Sequence, residues 1–217
     1  MKSVRFHARL LSIIRSRKVG LFALGILFFI SVAIFFCKPY LKRIPIVHTA
    51  LLKLRKEETV GGVLSKYEGR VDDKFIGIFG KKGMKYPPKR LIILCFKKEM
   101  TVEVYVSADE KNYTLVEQYP ILAPSGTLGP KTLEGDMQIP EGIYKIEFLN
   151  PNSRYHLSMK INYPNEFERK KAEEENRIYP GSDIFIHGSN ASIGCVSIGD
   201  GPIEDIFVLA AKTKIQN

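Results

Sequence analysis

The chain has 217 residues, 45% of them apolar and 26% charged, a globular composition that can bury a sizeable core. That excludes a wholly disordered or collagen-like chain, and three cysteines exclude a dense disulfide scaffold. The formal charge of +10 gathers at one end: residues 1–45 carry nine Lys/Arg and no acid, leaving 24 basic and 23 acidic residues elsewhere, too even a balance to attract a nucleic-acid backbone.

Residues 1–18 read as a basic cytoplasmic tail and residues 19–37 as a transmembrane anchor. Val19 to Cys37 (VGLFALGILFFISVAIFFC) holds no charge and no polar face. As a helix it spans roughly 28 Å, against about 30 Å of hydrocarbon. Six Lys/Arg precede it, which favours an N-terminus in the cytoplasm and the rest of the chain outside the inner membrane. The competing reading is a cleaved signal peptide, but the run is long for one and no small-x-small site follows.

Residues 38–89 read as a membrane-proximal linker and the start of the domain that fills 90–217. A short helix is expected over 46–58, then breaks at Gly61-Gly62 and at GKKGMKYPPK, 80–89. Strand signals recur at 91–96, 101–107, 113–119, 143–149, 155–161 and 184–187, with Val102, Val104 and Val106 alternating onto one face. Cys95 reads as core. Helices are expected over 166–176, charged and solvated, and over 202–214, with Pro202 in its first position, Glu204 and Asp205 in its first turn, and a buried stripe of Ile203, Ile206, Phe207 and Ala210. The fold class is mainly β, a sandwich or barrel with a few peripheral helices.

Chemistry concentrates in DIFIHGSNASIGCVSIGD, 183–200. A short strand delivers His187 and Gly188, and a Ser/Asn loop leads to Cys195. A thiol becomes a strong nucleophile once an imidazole takes its proton. Gly194 permits close backbone approach, and N–H groups beside it can hold an oxyanion. The bland alternative is that Cys195 is a small buried hydrophobe, or is joined to Cys95 in a disulfide. The four histidines (His7, His48, His156, His187) are too scattered for a zinc site.

The segment IHGSNASIGCVSI resembles the signature of the L,D-transpeptidase catalytic domain, a histidine and glycine followed by Ser/Thr-x-Gly-Cys. Two further blocks resemble that family in the same order: Gly129-Pro130-Lys131 with Glu134-Gly135-Asp136 and Pro140-Glu141-Gly142-Ile143-Tyr144, then HLSMKINYPN at 156–165. The resemblance covers roughly 90–210. It implies an L,D-transpeptidase-like fold and an acyl-transfer enzyme acting on peptidoglycan stem peptides without a cofactor or metal. Cys195 would be the nucleophile and His187 its base. Gly188 would orient the imidazole through its carbonyl, while Ser192 and Gly194 shape the thiol loop. His156, Lys131, Asp136 and Ser197 are candidate substrate contacts. Two departures matter: the histidine-to-cysteine gap is short, and Ser197 stands where many members carry arginine. They resemble a subgroup that includes hydrolases, so trimming by a carboxypeptidase or amidase stays open beside cross-linking. An inactive wall-binding module is the third reading.

Overall fold

The computed structural model describes residues 57–213. The expected tail, anchor and helix over 46–56 lie outside them, and residues 57–59 are not helical. No helix among the described residues is long and apolar enough to cross a membrane.

The first element corrects the expectation of a glycine break. Helix α1, Val60–Lys81, runs straight through Gly61-Gly62. Thr59 caps it, accepting the Gly62 N–H at 3.0 Å. Its buried residues Val63, Val71, Phe75 and Phe79 repeat at multiples of four, so one stripe faces the core. Packing along that stripe outweighs the poor propensity of two glycines in the first turn.

Two sheets follow, and the domain is mainly sheet with a few helices. β1 (Arg90–Phe96), β2 (Thr101–Ser107) and β3 (Thr114–Pro120) form an antiparallel sheet in that order. Val102, Val104 and Val106 all point into the core at 0% exposure, as their alternation predicts. β1 is an edge strand among the described residues, and Cys95, expected in the core, lies on it as a free thiol that burial pushes up to about 12. The second sheet runs β4 (Ile146–Asn150), β5 (Ser158–Ile161), β6 (Phe185–His187), β7 (Val196–Ser197). Among the described residues only β6 and β7 pair in parallel. The Leu122 N–H donates to the Ser197 carbonyl at 2.8 Å, tying the chain just past β3 to the second sheet.

Helix α2 (Glu166–Glu174) is closed by a capping box between Asn165 and Glu168. Helix α3 (Asp200–Lys212) begins two residues earlier than expected, after Gly199 in a left-handed conformation (φ +88°). Pro202 is therefore its third residue, not its first. Ile203, Ile206, Phe207 and Ala210 are fully buried. Asp205, expected in the first turn, falls in the second and is 3% exposed. It accepts from Arg70 (2.8 Å) and Lys74 (2.8 Å) of α1 and from the Tyr119 hydroxyl of β3 (2.9 Å).

These contacts make α1 part of the core. Phe75→Ala is expected to lower unfolding free energy by about 3–5 kcal/mol, whereas Ile76→Ala, at a half-exposed position of the same helix, should change it by about 0.5 kcal/mol or less. Urea titration of both variants checks this.

Candidate active site

The parallel pairing of β6 with β7 brings His187 and Cys195 to one place. Ile186 is opposite Val196 and His187 opposite Ser197. Cys195 lies one residue before β7, so the thiol sits at the mouth of the strand pair that His187 ends, with the Phe185 backbone acting on its sulfur. No hydrogen bond joins the two side chains.

The imidazole is held on two sides. Its Nδ1 is 2.6 Å from the carbonyl oxygen of Gly188. A carbonyl only accepts, so Nδ1 carries the proton and Nε2 is the free, basic nitrogen. The Tyr155 ring stacks on it with centroids 4.6 Å apart and planes 28° from parallel. His187 is 1% exposed.

Gly188 has no room for a side chain. A Cβ there would lie 2.6 Å from Asp200 Oδ1, 2.7 Å from the Tyr155 carbonyl oxygen and 3.1 Å from the His156 Cβ. The empty space lets the 155–156 turn and the start of α3 close on the base. Asp200 Oδ1 also accepts the Ser189 N–H at 2.7 Å.

The thiol loop is equally constrained. Ser192 Oγ donates to the Cys195 carbonyl (2.6 Å) and accepts the Gly194 N–H (3.2 Å). Gly194 adopts φ +129°, which a side chain resists. Cys195 is a free, partly exposed thiol.

The other expected residues are placed differently. Ser197, anticipated as a substrate contact, is fully buried and donates to the Ser189 carbonyl (2.8 Å), so it shapes the loop instead. Lys131 is 6% exposed; its Nζ donates to Asp136 Oδ1 (2.6 Å) and the Leu133 carbonyl (2.8 Å). Asp136 also accepts the N–H groups of Thr132, Leu133 and Gln138, so this pair braces the loop against which Gly194 packs. Burial pushes the Asp136 carboxyl up, but the bonds from Lys131 and those three amides outweigh it and hold it well below the usual carboxylate range. Lys131 also lines a cavity of about 250 Å³ between the 130–144 segment and α2, with Tyr144, Phe167 and Arg177 on other walls. His156 turns to α3, its Nε2 2.7 Å from Glu204 Oε1. Tyr155 and Asp200 are not marked by the sequence, and Glu204 is marked only as an acid at a helix start. Each meets the site from a distant or differently assigned element, and no local motif marks them.

Burial sets the proton balance. It lowers the His187 imidazole from its ordinary 6.5, with the weaker Gly188 bond acting the other way. It raises the Cys195 thiol from its ordinary 9.0, opposed by the Phe185 backbone bond and the charge on Lys131. Both directions favour a neutral thiol beside a neutral imidazole at pH 7, a base waiting to accept the sulfur proton.

Comparison with known proteins identifies the family. The family model of the YkuD L,D-transpeptidase catalytic domain matches residues 92–215, more than half of the chain, and the chain belongs to that family. It is 34% identical over 145 residues to the protein named "Putative L,D-transpeptidase YafK" in Escherichia coli K12, and equally to that of E. coli O157:H7. Each alignment covers 61% of this chain and 56% of the relative, so the chain spans about half the length of the curated relatives it matches. Bd1075 of Bdellovibrio bacteriovorus is similar over 56% of this chain and 44% of its own, at 24% identity and a TM-score of 0.40.

Alkylation of Cys195 by iodoacetamide should follow the base, holding through the pH range where a free imidazole protonates and falling away only at lower pH, because burial lowers His187. His187→Ala should leave only a slow reaction that rises above about pH 9. Gly188→Ala should cost about 1–3 kcal/mol of stability from overpacking and slow alkylation as well; thermal melts and mass-spectrometric rates report both.

Proposed function

We propose that this member of the L,D-transpeptidase catalytic domain family acts on peptidoglycan stem peptides through a cysteine acyl-enzyme, on the outer side of a membrane reached by the apolar N-terminal run. The observation that carries the reading is the Nδ1–H bond from His187 to the Gly188 carbonyl, which leaves Nε2 as the free base at the end of the strand paired with the one that follows Cys195.

In this reading Nε2 takes the thiol proton as sulfur attacks a stem-peptide carbonyl. Backbone N–H groups beside Cys195 stabilise the oxyanion, the Gly194 N–H being free to do so only on leaving Ser192 Oγ. As the tetrahedral species collapses, the C–N bond breaks, and the imidazolium returns its proton to the departing amine. A thioester remains. An incoming amine attacks it to give a new amide, or water attacks it to give a carboxylate; His187 takes the nucleophile's proton, and sulfur leaves as the thiol.

Hydrolysis is the second reading, favoured by Ser197. A fully buried serine stands where many members carry arginine, so that position offers no guanidinium to hold a substrate carboxylate.

Incubation of the full chain with tetrapeptide-bearing muropeptides, read by mass, separates the two. Dimers support cross-linking; tripeptides without dimers support trimming. Cys195→Ala should reduce either product by about a thousandfold or more, and products unchanged by that substitution would defeat the acyl-enzyme.

A further inference from the structure

His156 holds an unusual backbone. It is a non-glycine residue at φ +73°, in the left-handed region that L side chains rarely occupy. Such a conformation persists only when its surroundings over-determine it. Three contacts do so. The imidazole meets Glu204 of α3 at 2.7 Å, with only 25% and 14% of the two side chains exposed. Glu204 is in turn held by Arg70 of α1 at 2.8 Å. Tyr67 of α1 packs edge-on against the His156 ring at 5.9 Å.

The turn has two consequences one residue to either side. Before it, Tyr155 is aimed at the base and stacks on His187, although Tyr155 itself is 42% exposed and has no core to fill. After it, the Leu157 carbonyl accepts the Gly188 N–H at 3.1 Å, and Ser158 pairs with His187 in the ladder. One strained residue therefore sets both the face of the imidazole and the backbone that carries the orienting carbonyl.

Resting on the reading of His187 as the base, we propose that His156, Glu204 and Tyr155 are positioning residues: the His156–Glu204 pair locks the left-handed turn that presses Tyr155 onto the imidazole and keeps Nε2 turned to the thiol. Their effect passes through His187, and none of them takes part in proton transfer. Arg70 and Tyr67 carry the restraint back to α1, outside the residues matched to the family.

The test uses the full chain, with two readouts that a merely structural role would not move: the ring-current shift of the His187 carbon-bound protons by NMR, and the rate of Cys195 alkylation by iodoacetamide at pH 7. Tyr155→Ala and Glu204→Ala should move the His187 resonances towards ordinary values and slow alkylation by about tenfold. Tyr155→Phe, which keeps the ring and loses the hydroxyl, should retain both readouts within about twofold. If Glu204→Ala does not fold, His156→Asn takes its place, because asparagine tolerates the left-handed backbone but is too short to make the same pair. Wild-type resonances and rates in Tyr155→Ala, or in the folded variant of the His156–Glu204 pair, overturn the positioning role. A wild-type thiol that alkylates no faster than a denatured-chain cysteine overturns instead the reading of His187 as its base, which separates the two failures.

Discussion

A buried carboxylate holds the domain together. Asp205 is 3% exposed and takes donors from two residues of α1 and one of β3. A charge removed from water this far is tolerated only when its partners are in place, so α3 cannot seat correctly without α1 and the first sheet. The same helix carries Glu204, paired with His156, and Asp200, which accepts the Ser189 amide. Three acids within six residues thus bind α3 to the first helix, to the turn beside the base and to the loop after it.

The site shows a second constraint, imposed by burial. Two neighbouring groups that could form a thiolate–imidazolium pair are each biased towards neutrality. The charge of Lys131, which favours the thiolate, is already engaged by Asp136. Reactivity is therefore better read from the placement of a basic nitrogen than from a standing thiolate. That placement is over-determined: a hydrogen bond in the ring plane, an aromatic ring on its face, and a glycine where any side chain would collide.

The legible parts of the fold are those whose signal is local. The alternation of Val102, Val104 and Val106 is a property of consecutive residues, and so is the run from His187 to Cys195. The parts that escaped depend on partners far along the chain. Gly61-Gly62 reads as a break because glycine disfavours a helix, yet the four-residue ladder from Val63 to Phe79 buries against the core. β7 is two residues long and exists only because it pairs with β6. Asp205 reads from the sequence as an acid at a helix start, and only the partners on α1 and β3 make it interior. Ser197 and Lys131 carry polar side chains suited to a ligand, but the folded chain supplies both with internal partners.

The residues that match the family begin at 92, whereas Arg70 and Lys74 lie upstream in α1. Homology alone would invite a minimal recombinant fragment starting there. Such an excised piece would strip Asp205 of both cations and uncover the apolar seat of Phe75 and Phe79. The natural folding unit is thus larger than the one that sequence kinship delimits.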